Sequence, residues 1–122
     1  MSLNSDNPLN TLKNYLSDLF NKGRMAADIE KSDDAKKCLI EVTQIAESEK
    51  LNESKSLLVT DLCYYQKLSF YILVRICESE SNCLDAKYYI TKMVKLQSDR
   101  LNDYQNGYIK ETVERINRNC SK

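Results

Sequence analysis

Histidine and tryptophan are absent from this 122-residue sequence, which holds only two glycines and one proline. The loss of histidine removes the commonest general base, the usual partner of a serine or cysteine nucleophile and the commonest metal ligand. Two scattered glycines cannot supply Gly-x-Gly-x-x-Gly or Gly-x-x-x-x-Gly-Lys, so the phosphate-cradling loops of ordinary nucleotide enzymes are missing as well. So few turn formers also argue against an all-β fold, which needs a turn roughly every 8–12 residues. Net charge is zero, with 18 lysines and arginines against 18 aspartates and glutamates. No global field therefore draws the chain to nucleic acid or anionic lipid. A long hydrophobic run is lacking too. The most apolar stretch, Leu68 to Cys77, is interrupted by Ser69 and Arg75 and falls far short of the roughly 20 residues that span a bilayer. The first residues, Met1 to Asp6, show no basic segment leading into an apolar one, which argues against a signal peptide and for no membrane partner.

What is present is the mixture of a folded helical domain: 42% apolar and 30% charged residues. The expectation is all-α, one domain over residues 1–122 with residues 1–6 flexible, and four to five antiparallel helices in a bundle or a short stack of hairpins. Asn7-Pro8 reads as a cap and a first helical turn. Leu9, Leu12, Leu16 and Leu19 then recur at helical spacing, giving a helix over about 8–30 that continues through a weak point at Gly23. Ser32-Asp33-Asp34 opens a second helix over 33–50, with Ala35, Cys38, Leu39, Val42, Ile45 and Ala46 on one face. A third spans 54–78. Between Leu57 and Cys77, fifteen of twenty-one residues are apolar, the pattern of a central helix with neighbours on several sides. Leu62, Leu68, Ile72 and Leu73 are expected to be buried there. Asn82, followed by Asp85, starts a fourth helix over 83–105. Asn102-Asp103 and Asn106-Gly107 are both possible breaks before a fifth over 108–119, which is otherwise the far end of one long helix.

One internal echo stands out. Asp34-Ala35-Lys36 and Asp85-Ala86-Lys87 both open helices, and a shift of 51 residues aligns Leu39, Val42 and Ile45 with Ile90, Met93 and Leu96. A duplicated helical hairpin would produce this. The small-residue helix starts resemble those of tetratricopeptide repeats and make similar stacking an option. The period of those repeats is about 34 residues, however, and their signature glycine, aromatic and proline positions are missing.

The five cysteines, at 38, 63, 77, 83 and 120, form no Cys-x-x-Cys pair. With no histidine to complete a zinc site, no metal is expected. Their odd count and irregular spacing read as reduced, passive thiols of an intracellular protein, cytoplasmic or nuclear. Cys77 with Cys83 is the one disulfide that proximity in sequence suggests, and a reducing compartment speaks against it. Three carboxylate pairs, Glu47 with Glu49, Asp99 with Asp103 and Glu111 with Glu114, could serve as acid and base. Each lies among lysines, arginines and asparagines, so solvated helix surface accounts for them. No catalytic residue, cofactor or enzyme activity is assigned.

These features lead to a non-enzymatic protein-protein interaction module, a subunit or adaptor of a larger assembly, whose partner is another protein or a second copy of the chain. Eight tyrosines are many for this length, and tyrosine suits interfaces. The candidate face is Tyr88, Tyr89, Leu101, Tyr104 and Tyr108, because a change of helix phase leaves some of these rings outside any one core. Two alternatives compete. Residues 91–122 carry a net charge of +3, with Lys92, Lys95, Arg100, Lys110, Arg115 and Arg118 interleaved with Tyr104 and Tyr108, so the basic C-terminal helix could contact nucleic acid. An enzyme whose site leaves no sequence pattern is the other.

Overall fold

Proline fits a first helical turn, where its missing N–H has no partner to lose, and the described part of the first helix runs from Pro8. The computed structural model describes residues 8–50, 59–98 and 100–120. They form five helices: α1 (Pro8–Asp28), α2 (Ser32–Lys50), α3 (Val59–Ser79), α4 (Cys83–Val94) and α5 (Asp103–Asn119). No strand occurs among the described residues. The cap expected at Asn7, the flexibility expected of residues 1–6 and the third-helix start expected near Ser54 lie outside them.

The helices form a short stack of hairpins. Each packs against the next, and in addition α1 packs against α3 and α3 against α5, whereas α2 and α4 do not meet among the described residues. The odd helices make one layer and the even helices line the other side. α3 is the one helix that touches all four others, which explains why its sequence is apolar nearly all round. Leu62, Leu73, Val74 and Cys77 of α3 lie in the core with Leu16, Leu39, Val42, Ala86, Met93 and Ile116. Leu68 and Ile72, expected to be buried, are only half-buried, because they face a groove between the odd helices.

The 51-residue echo extends to the backbone. α1 and α3 end 51 residues apart, at Asp28 and Ser79. Both end in a Schellman turn: Lys31 N–H donates to Ala26 O and Asn82 N–H to Cys77 O, each at 2.8 Å. Glu30 N–H donates to Ala27 O and Ser81 N–H to Glu78 O, each at 3.1 Å. The turn requires a left-handed residue, a place usually taken by glycine, and here it is Glu30 (φ 62°) and Ser81 (φ 57°). The following helices then start alike, Ala35 N–H donating to Lys31 O and Ala86 N–H to Asn82 O.

α1 runs through Gly23 without a break, because the glycine lies where α2 crosses it most closely. A Cβ there would stand 2.7 Å from Leu39 Cγ and 3.2 Å from Cys38 Cβ.

Two expectations are corrected. The fourth helix, expected over 83–105, ends at Val94, and the fifth begins at Asp103 instead of 108. Asn102 forms a capping box: its Oδ1 accepts from Gln105 N–H at 2.8 Å while its own N–H donates to Gln105 Oε1 at 3.0 Å. Between the helices, Lys67 Nζ donates to Leu96 O at 2.8 Å, and Arg100 pairs with Asp61 of α3. These bonds turn the chain back early. Gly107 lies inside α5 with open space beside it.

The cysteines are not all reduced. Cys83 and Cys120 form a disulfide, with Cα atoms 5.6 Å apart, inside the usual range for such a bridge. They lie 37 residues apart in sequence, yet α4 and α5 run in opposite directions, so the start of one meets the end of the other. Cys77, the partner that sequence proximity suggested for Cys83 and the expected reducing compartment spoke against, is a free buried thiol, and Cys38 and Cys63 are free and half-buried. With a disulfide present, the ground for inferring a reducing compartment is gone. No helix among the described residues is long and apolar enough to cross a membrane.

A candidate interaction groove on the odd-helix side

The odd helices α1, α3 and α5 line a groove of about 780 Å³, within the size range of ligand sites. Its apolar surface comes from Phe20 of α1, Leu68, Ile72 and Ile76 of α3 and Ile109 of α5. The rim carries Tyr64, Tyr65, Tyr71 and Tyr108 together with charges of both signs, Arg24, Arg75 and Arg100 beside Asp28 and Glu30.

One end is closed by stacked side chains. The Arg100 guanidinium lies 4.1 Å from the centre of the Tyr64 ring and 5.8 Å from that of Tyr65, a cation–π arrangement. Asp61 holds it there and also approaches Lys13 at 3.6 Å. Tyr65 in turn packs on Phe20, ring centres 5.7 Å apart. A separate cleft between α3 and α5, sharing Tyr71, Arg75 and Tyr108 with the groove, holds a two-pronged ion pair. Arg115 of α5 binds Glu78 at the end of α3 through Nε–H to Oε2 and through Nη2–H to Oε1, the latter at 2.9 Å. The Arg115 hydrogen bonds hold the Glu78 carboxyl below the usual carboxylate range. Beside this pair Arg75 Nη1–H donates to the Tyr71 hydroxyl at 3.1 Å.

A second, smaller cleft opens where α2 and α4 diverge, with Gln66 and Phe70 of α3 at its base. Gln66 Nε2 donates to Thr43 O at 3.2 Å and to Glu47 Oε2 at 2.9 Å, tying α3 to α2. The bond from Gln66, with one from Lys50, lowers the Glu47 pKa. That direction is the reverse of what a general acid near neutral pH requires.

The five residues singled out as an interaction face divide among four surroundings. Tyr108 is on the groove rim. Tyr88 and Tyr89 line the α2–α4 cleft, Tyr89 against Phe70 and Tyr88 beneath Lys92. Tyr104 is 80% exposed at the start of α5. Leu101 is 7% exposed: the turn before Asn102 folds it into the core, and an exposed leucine face there is corrected accordingly. Of the basic residues weighed for nucleic acid, Arg100 and Arg115 are engaged by Asp61 and Glu78. The carboxylates Glu111 and Glu114 are exposed on α5, while Asp99 is outside the described residues. No group of three or more potential metal ligands is found among the described residues.

Sequence reading missed Arg24, Arg75 and Tyr71. A signal for the arginines existed, since Arg24 and Arg75 are themselves 51 residues apart and carry the hairpin echo back into the first helix of each pair. Comparison with known protein families, curated proteins and solved structures finds no match.

Proposed function

We propose that this protein is a non-enzymatic protein-interaction module, a subunit or adaptor of a larger assembly, and that it holds a segment of a partner protein in the groove between α1, α3 and α5. The observation that carries this reading is the composition of the groove. Half-buried Leu68 and Ile72 are covered by no helix among the described residues and share the groove with tyrosine and arginine side chains. Aromatic residues and arginine are enriched at protein interfaces, and four tyrosines and three arginines line the groove.

Site-specific photo-crosslinking in the native cell tests the assignment. A photoreactive residue is placed at Tyr108 on the groove rim and, for comparison, at Thr91, which is exposed on α4. Adducts to one partner peptide, identified by mass spectrometry from position 108 and absent from position 91, are the expected result. Adducts confined to position 91, or none at position 108, would overturn it.

A further inference from the structure

α5 supplies one wall of the groove, through Gln105, Tyr108 and Ile109, and it is thinly attached. Among the described helices its packings against α3 and α4 are the two sparsest in the fold, and it buries three residues, Ile109, Thr112 and Ile116, where α3 buries eight. Three fastenings hold it. Before its start Leu101 is buried and Arg100 pairs with Asp61. Further along, Arg115 pairs with Glu78, and both of these side chains are partly exposed, so that water and salt weaken their attraction. At its end the bridge from Cys120 to Cys83 ties it to the start of α4. Both cysteines are half-exposed, which gives a reductant access to the bridge.

Resting on the groove reading above, we infer that this disulfide is a redox gate on the groove. Oxidised, it keeps α5 in place and the third wall standing; reduced, it lets α5 detach and the occupant leave. The bridge closes a loop between cysteines 37 residues apart, and cutting it returns conformational freedom to that loop, which favours the detached helix. A helix of 17 residues, taken off the surface that covers its apolar stripe, is marginal in water, because packing supplies most of its stability. Tyr108 and Ile109 therefore leave the groove together with the helix. A dithiol reductant supplies the two electrons. One of its thiolates attacks a bridge sulfur, forming a mixed disulfide and releasing the other cysteine as a thiolate that takes up a proton. The second sulfur of the reductant then breaks the mixed disulfide, so that the reductant leaves as a disulfide and Cys83 and Cys120 both stand as thiols.

The test uses the full chain in three forms: oxidised, reduced with dithiothreitol, and the Cys83→Ser/Cys120→Ser double variant. Hydrogen exchange reads the attachment of α5. Cysteine-free random linear peptides, selected on the oxidised protein and sorted by whether Tyr108→Ala weakens them, serve as groove probes, with affinity read by fluorescence anisotropy. On reduction, exchange in α5 should rise by about a hundredfold while α1, α2 and α3 keep their protection. Tyr108-dependent peptides should lose about tenfold in affinity, the factor expected when the closed form falls to about a tenth of the population. The double variant should match the reduced protein and ignore the reductant. Equal protection of α5 in both redox states, or Tyr108-dependent peptides bound equally well in both, would overturn the gate and leave the groove reading standing. Loss of protection in all helices together would also overturn the gate, since reduction would then unfold the protein. Peptides that are all indifferent to Tyr108→Ala would overturn the groove reading itself, and the gate with it, whatever α5 does.

Discussion

The hairpins α1–α2 and α3–α4 share their turn down to individual hydrogen bonds, yet their side chains answer to different surroundings. Lys22 is exposed on α1, while Leu73, at the same position of α3, is fully buried. Gly23 permits the close crossing of α1 and α2, and its counterpart on α3 is the buried Val74. The equivalence fails past the middle of the second helix: α2 runs on to Lys50, while α4 stops at Val94 and the chain turns back to build α5. Helix ends and turns are thus repeated, and the residues between them are set by how many neighbours each helix has. A helix with neighbours on one side keeps a lysine where a central helix must place a leucine.

The sharpest test of this comparison is a pair of alanine substitutions at matched positions. Leu73→Ala should cost about 3 kcal/mol, because it opens a cavity in the core, and lower the melting temperature by roughly 10 °C. Lys22→Ala should stay within about 0.5 kcal/mol. Equal effects in thermal or denaturant unfolding would mean that the two hairpins are not distinguished by burial.

Next in size is the disulfide, which the first hairpin lacks. Cys83→Ser should cost up to about 4 kcal/mol by the loop-closure argument, less whatever structure the reduced unfolded chain retains. Hydrogen exchange should show the loss concentrated in α5, which among the described helices packs against α3 and α4 alone. A uniform loss across all helices would contradict that. Labelling of the denatured protein without reductant should find three thiols, the number that remain free.

Gly23→Ala should be smaller, about 1–2 kcal/mol destabilising. Overpacking against Leu39 typically costs about 1–3 kcal/mol, and the better helix propensity of alanine returns up to about 1 kcal/mol. A stabilised variant would show that α1 and α2 are farther apart than the 2.7 Å approach implies. Smallest are Glu30→Gly and Ser81→Gly. Each relieves a left-handed side chain and should gain about 0.5 kcal/mol in denaturant unfolding, by similar amounts in both turns. A gain in one turn and a loss in the other would break the equivalence there.

How far these features could be read from the sequence depends on how local their causes are. The first three helices and the α4 start were visible because capping residues and apolar spacing act within a few residues of one another. The break at 95–102 was harder. Asn102 with Gln105 and Asn106 with Gly107 both look like helix starts, and the choice rests on Lys67 and Arg100 binding partners far off in sequence. The disulfide was hidden for the same reason, as nothing near Cys120 points to Cys83. Of the groove, the tyrosine content was legible but its location was not. Tyr88 and Tyr108 look equivalent along the chain and face opposite sides of the stack.

The bridge between Cys83 and Cys120 also fixes how the molecule responds to being pulled. A load applied through the two ends of the chain passes across the sulfur atoms and bypasses α4 and α5 altogether. The 37-residue separation of the cysteines would otherwise yield about 120–130 Å of contour length. In a single-molecule stretching experiment that length stays locked until a dithiol reductant is added, so α1, α2 and α3 alone bear the force.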